Sequence, residues 1–150
     1  MNVVVLGCGR VGSTFARLMY HDQHTVTVID LQSEAFRRLG ARFKGSRIVG
    51  NGIDEDVLKR AGIESADVFV AATQGDNRNI MAAQIAQRVF GVKKVVARIY
   101  DPVRADRYRQ LGIVTLCTTT IASGLLHDYV VSDEWGLTKD YSAEYLKLKV

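Results

Sequence analysis

Proline is nearly missing from this chain, one residue in 150, while glycine occurs thirteen times. That balance fits an α/β chain with many short turns, and no internal repeat or low-complexity segment interrupts it. Cysteine is scarce as well. Cys8 and Cys117 carry no metal-ligand spacing, which points to free thiols in a reducing compartment, the cytosol, rather than to a disulfide framework. No apolar run approaches the roughly 20 residues of a membrane span, and the N-terminus reads straight into a strand instead of a signal peptide. The formal net charge is +4, yet the lysines and arginines are scattered among acids. No basic run is interleaved with aromatics, so no nucleic-acid partner is expected.

What remains is an ordinary soluble composition, 47% hydrophobic and 24% charged, of a length that suits one domain with a full-sized core. The chain is organised around its first thirty residues. An apolar run, residues 3–6, stops at Gly7-Cys8-Gly9-Arg10-Val11-Gly12, a helical pattern begins at once, and a second apolar run ends in Asp30. Strand, glycine turn, helix, strand and acid form the layout of a dinucleotide-binding unit, with the acid eighteen residues beyond Gly12. Gly7 makes the tight turn, Gly9 lets backbone amides approach a pyrophosphate, and Gly12 lets the helix pack close to the strand. Phosphates would sit at the helix N-terminus, where unpaired N–H groups and the macrodipole favour negative charge. The competing reading is a glycine turn kept for packing in a Rossmann-like domain that has lost its ligand.

Along the chain the expected order is as follows. A first helix covers residues 11–20, with Val11, Phe15, Leu18 and Met19 facing the sheet. Asp30 ends the second strand, placed to accept hydrogen bonds from both hydroxyls of an adenosine ribose. Leu31 and Gln32 follow, not the arginine that a 2′-phosphate would require, which favours NAD or an adenine nucleotide over NADP. Ser33 reads as the N-cap of a second helix, with Phe36 and Leu39 inward. Arg37, Arg38, Arg42, Lys44 and Arg47 make the densest positive patch, either a solvated face or a contact with phosphate or a membrane surface. A third strand runs into Gly50-Asn51-Gly52, whose backbone and Asn51 could reach an adenine base. Asp54 caps a short helix closed by Gly62. The fourth strand, DVFVAAT, is apolar throughout, as a strand buried on both faces should be. Thr73, Gln74, Asp76 and Asn79 follow it, where strand order reverses and such sheets bind ligands. The fifth strand, KVVARI, carries Arg98, which needs an anionic partner, phosphate or carboxylate. A helix over residues 102–111 and a short sixth strand, IVTL, come next. Thr118, Thr119 and Thr120 read as the cap of a last helix. Its apolar stripe, Ile121, Leu125, Leu126, Tyr129 and Val130, covers either the domain's own edge or a partner subunit; the second is preferred. Residues 132–150 read as a linker and, in YLKLKV, the first strand of a further lobe.

The segments VVVLGCGRVG, HTVTVID, GNGIDEDVLKRAGI, DVFVAATQGDNRNIMAAQIA and KKVVARIYDP, in this order, resemble the RCK or KTN domains that regulate potassium conductance. The likeness is to the N-terminal lobe of Trk-type potassium-uptake regulatory subunits and covers about residues 1–131. It implies a Rossmann-like doubly wound parallel sheet of about six strands with a C-terminal crossover helix. It further implies a cofactor, NAD(H) or ATP/ADP, in the glycine-turn cleft, and assembly as dimers or rings beneath a membrane channel or transporter whose potassium flux ligand exchange gates. By the same resemblance Gly7, Gly9, Arg10 and Gly12 form the phosphate loop, with Cys8 and Val11 inside it, and Asp30 is the ribose acid, followed by Leu31. Asn51 and Gly52 belong to the adenine loop, Thr73, Gln74, Asp76 and Asn79 to the strand-four loop, and Arg98 is the strand-five arginine. Residues 120–131 correspond to the crossover helix through which neighbouring lobes pair. Two departures stand out: Asn51 where many members carry an aspartate, and Gln23 where a glycine usually precedes His24.

The expected role is thus a non-enzymatic, nucleotide-sensing regulatory domain, cytoplasmic and held at the inner face of the membrane by its potassium-transporting partner. No Ser/His/Asp set, metal cluster or acid pair falls where a bound nicotinamide would react. The alternative is the cofactor-binding domain of an NAD-dependent dehydrogenase, cut from its catalytic half.

Overall fold

A computed structural model describes residues 1–132 of the chain; the expected linker and YLKLKV strand lie outside the described residues. The apolar runs become strands because their side chains are buried on both faces, which suits a parallel sheet covered by helices. β1 (Asn2–Leu6), β2 (Thr25–Asp30), β3 (Ser46–Val49), β4 (Val68–Ala71), β5 (Lys94–Arg98) and β6 (Val114–Leu116) form one sheet. Its order is β3-β2-β1-β4-β5-β6 and every pairing is parallel. Order therefore reverses between β1 and β4, where Leu6 lies beside Ala71. This is the Rossmann-like doubly wound sheet that the sequence implies.

Alternation along β1 divides the core in two. Val3 and Val5 join Val26, Val28, Ala16, Ala35, Leu39 and Phe43. Val4 and Leu6 join Leu58, Phe69, Ile80, Ala82, Ala83, Ala86, Ala97 and Ala105 on the other face. α1 (Arg10–His21) and a 3-10 segment, Ser33–Leu39, thus cover one side, and α2 (Glu55–Arg60), α3 (Asp76–Arg88) and α4 (Pro102–Gln110) the other. Each fully buried Val, Leu or Phe side chain contributes roughly 1.5–3 kcal/mol. The alanines of α3 let that helix approach the sheet closely.

Several local expectations are corrected. α1 buries Gly12, Ser13 and Ala16, with Phe15, Met19 and Tyr20 packed around them, whereas Val11 is exposed. Small residues win because this helix sits close to the strand. Ser33 does not cap the segment it begins: its hydroxyl donates to Glu34 and the turn is 3-10. Thr118, Thr119 and Thr120 lie inside α5 (Thr118–Ser132), not ahead of it. α5 has no buried residue, and Ile121, Leu126, Tyr129, Val130 and Val131 are exposed. Of the stripe, Leu125 alone is half-buried. Asp54 and Gly62 behave as read: Asp54 accepts from the Asp56 amide and Gly62 is left-handed at φ 80°.

Candidate functional site

β1 ends against β4, so the glycine turn is squeezed between two backbones. Gly7 has φ 100°, and a Cβ on it would meet the Thr73 nitrogen at 2.9 Å. Its amide donates to the Ile29 carbonyl at 2.7 Å. A Cβ on Gly12 would come within 1.9 Å of the Gly7 oxygen; glycine there is a condition of the helix leaving the strand at all. Gly9 is different. A Cβ on it would meet nothing within 4 Å, so its side of the loop opens on free space. Gly9 also N-caps α1 with no side-chain hydrogen bond, and the first turn holds no acid. The first-turn amides therefore keep their positive partial charge uncompensated. Arg10, exposed at the same turn, adds a full one.

Asp30 faces this loop from the end of β2. One carboxylate oxygen accepts the Cys8 amide at 2.6 Å and the other the Gln32 amide at 3.0 Å. Each oxygen retains a second lone pair. The acid is thus oriented by backbone from both sides, and Leu31 beside it is half exposed, at 50%. Cys8 contributes only backbone. Its side chain is fully buried in the core, and burial, followed by the nearby Asp30 charge, pushes its thiol up to about 11. Its N–H is spent on Asp30, so neither the sulfur nor the amide of Cys8 is free towards the cleft.

Beyond β3, the Gly50 amide donates to the Asp30 carbonyl at 2.9 Å, which ties the next loop to the acid. Asn51 is exposed there, its side chain accepting from Ile53 at 3.4 Å. A Cβ on Gly52 would lie 2.2 Å from Leu6 Cδ1, so its smallness lets the loop pack on β1.

The strand-four loop is a hydrogen-bonded clamp. Asn79 is 0% exposed. Its Oδ1 accepts from the Thr73 amide at 2.9 Å and the Thr73 hydroxyl at 2.7 Å. Its Nδ2 donates to the Thr73 and Arg98 carbonyls at 2.9 and 2.7 Å. Its amide is fully spent, so Asn79 positions Thr73 and does not reach the cleft. Asp76 likewise accepts from the Tyr100 and Asp101 amides at 2.9 and 3.3 Å, with Arg104 at 3.9 Å. It fastens the loop after β5 to the N-terminus of α3, while Arg104 also donates to Asn77. Gln74 remains exposed on the loop.

Arg98 was expected to need an anion. Among the described residues no carboxylate pairs with it. Its Nη2 donates to the Thr73 carbonyl at 2.7 Å, its guanidinium lies 4.4 Å from the Tyr100 ring centre, and its Nε is buried without a partner. The cation is held by a carbonyl and a π face, neither of which neutralises it. Tyr100 was not singled out from the sequence; the only trace there is an aromatic two residues beyond a strand arginine. Among the described residues no group of three His, Cys, Asp or Glu could hold a metal ion, and no helix is long and apolar enough to cross a membrane.

Against known proteins, the TrkA-N domain profile matches residues 3–119. The Trk system potassium uptake protein TrkA of Streptomyces coelicolor is 52% identical over 118 residues, 79% of this chain and 53% of that protein. The chain thus spans about half the length of this relative. Among solved structures, the Kef CTD of Shewanella denitrificans in AMP-bound form superposes with a TM-score of 0.73 at 19% identity, over 99% of this chain and 89% of that one. GsuK bound to ADP gives 0.75 at 19% identity over 89% and 34% of the two chains. The GsuK channel bound to NAD gives 0.68 at 17% over 83% and 22%. At these identities the structural likeness is one of fold. Profile and relative agree on the rest: this chain belongs to the TrkA-N domain family.

Proposed function

We propose that the chain is a nucleotide-sensing regulatory domain of a potassium-transport system, without enzymatic activity of its own. It takes NAD(H) or ATP/ADP in the crevice at the carboxyl ends of β1 and β4. The observation that carries this reading is the pairing of an uncapped, acid-free α1 N-terminus, open in front of Gly9, with an Asp30 carboxylate already oriented by two backbone amides. The first suits phosphate and the second a ribose. In this reading the amides of residues 10–12 and the Arg10 side chain hold the phosphates, Asp30 receives the ribose hydroxyls through its remaining lone pairs, and Asn51 borders the adenine. Arg98, buried and without an acid, supplies charge at the far end of the crevice. Thr73, Asp76 and Asn79 keep the wall in register. Ligands of the two solved proteins, ADP and NAD for GsuK and AMP for Kef CTD, support an adenine nucleotide.

The regulatory part of the proposal draws on the Streptomyces relative's name as a potassium uptake protein. Residues 1–131 form the nucleotide-binding unit, with 132–150 leading towards a further lobe. The exposed stripe of α5 joins the unit to a second copy, as a dimer or within a ring. That assembly sits in the cytoplasm against a membrane potassium transporter or channel and transmits ligand state to it.

Calorimetry with NADH, NAD, ATP and ADP tests the site. At least one is expected to bind, and Asp30→Ala should weaken it by about 1–3 kcal/mol, the range for hydrogen bonds to a charged group. Binding of none at millimolar levels would sink the nucleotide reading. Unchanged affinity in Asp30→Ala would remove the ribose assignment.

A further inference from the structure

A cavity of about 630 Å³ opens away from the nucleotide crevice, lined by Arg17, Tyr20, His21 and Gln23 of α1 and its turn, and by residues 39–43. It lies at the C-terminal end of α1, hence at the amino edge of the sheet, whereas the crevice lies at the carboxyl edge. Twelve residues of helix separate the two, roughly 18 Å at 1.5 Å per residue.

The floor is apolar and fixed. Leu39 and Phe43 are 1% and 2% exposed, and the Tyr20 ring meets Phe43 at 5.1 Å between centres. Arg47 secures that floor, donating to the Phe43 carbonyl at 2.7 Å with its guanidinium 5.7 Å over the Phe43 ring. The rim is cationic. Neither Arg17 nor Arg42 has a hydrogen bond or ion pair from its side chain among the described residues. Asp22, which contacts the His21 ring at 3.3 Å, is not among the described residues that line the cavity.

A helix C-terminus ordinarily repels anions, because its last carbonyls are unpaired. Here they are not. The Asp22 amide donates to Leu18, Gln23 to Tyr20 and His24 to Met19, while the Gln23 side chain donates to the His21 carbonyl at 3.1 Å. The 6→1 and 5→2 bonds are those of a Schellman cap, and Gln23 occupies its left-handed position at φ 63°. A non-glycine residue at positive φ is strained, its Cβ crowding the following carbonyl. The strained residue closes the helix end and lines the cavity at once.

We infer that this cavity is a second ligand site, for an organic anion: a phosphate, sulfonate or carboxylate carried on a flat apolar body. Tyr20, half-buried above the Leu39 and Phe43 floor, takes the body, and Arg17 and Arg42 take the charge. The size falls within the range of small-molecule sites, ~300–1,000 Å³.

The probe is anilinonaphthalene sulfonate, titrated into the folded 150-residue chain by calorimetry and fluorescence. One site per chain is expected, persisting when ADP is saturating. Its neutral ring analogue, phenylnaphthylamine, should bind at least about tenfold more weakly, as should the sulfonate to the double variant Arg17→Ala/Arg42→Ala; tenfold is 1.4 kcal/mol. ADP affinity should be unchanged in that variant. Arg42→Glu alone, at an exposed position, gives the same comparison if the double variant folds poorly. Equal sulfonate affinity in wild type and variants, equal affinity for the neutral analogue, or displacement by ADP would each overturn the site. Co-sedimentation with phosphatidylglycerol vesicles but not phosphatidylcholine vesicles, lost in the variants, identifies the anion as a lipid headgroup. Sulfonate binding without co-sedimentation identifies it as a soluble anion. Either supports the site.

Discussion

Gly9 and Gly12 share one six-residue glycine motif, yet opposite demands hold them to glycine. At Gly12 the obstacle is the protein itself, since a Cβ would lie 1.9 Å from the Gly7 oxygen. Gly12→Ala should therefore cost more than about 3 kcal/mol in urea unfolding, through the forced separation of helix and strand. At Gly9 nothing protein-borne is met within 4 Å. Gly9→Ala should unfold within roughly 0.5 kcal/mol of wild type while losing about tenfold or more in calorimetric nucleotide affinity, if phosphate occupies that space. A Gly9→Ala protein that binds normally would place the phosphates elsewhere. Gln23 is a third position where glycine is the physical default. With φ at 63°, Gln23→Gly should raise stability by about 0.5–1 kcal/mol, the relief of strain less glycine's larger unfolded-state entropy. A thermal melt should shift upward by roughly 2–4 °C per kcal/mol at this chain length.

At the level of elements, the wall of the crevice is held by side chains rather than by strand ladders. Asn79 joins the end of β4 to the end of β5 through four hydrogen bonds. Asn79→Ala would leave the Thr73 amide and two carbonyls without those partners in a buried place. We expect a loss of about 2–4 kcal/mol in denaturant titration together with weaker nucleotide binding; a loss below 1 kcal/mol would mean that water replaces the amide. Such a clamp was only half legible beforehand. Thr73, Asp76 and Asn79 could be placed at the reversal of strand order, because apolar runs and turn residues reveal topology. Their roles could not, because Asn79 meets Arg98 across nineteen residues of sequence and Asp76 meets Tyr100 across twenty-four. The start of α1 was legible from the glycine run, whereas α3 begins at a glycine cap without a side-chain bond, so no capping residue marks its first turn. In α1 the buried face is small rather than apolar.

Taken whole, the molecule was most readable where burial is two-sided. The central strands announce themselves as continuous apolar runs, and their order follows from right-handed parallel crossovers. The cavity at the amino edge was invisible, since it forms between the end of one helix and a loop twenty residues later. Only its charge showed, as the run from Arg37 to Arg47. α5 belongs to this scale too, because apolar side chains of its stripe stay exposed: Leu126 is 60% exposed and Val130 78%. Leu126→Glu should leave the thermal stability of the domain within about 0.5 kcal/mol yet shift it to a monomer in light scattering if α5 joins two copies; an unchanged mass would refute that role. Fifteen residues are marginal as an isolated helix in water, and these lend no side chain to the core. Helix formation in α5 and association would then be a single event. The circular dichroism of the protein at 222 nm should deepen on going from nanomolar to micromolar solutions, secondary structure acting as a gauge of how many copies have met.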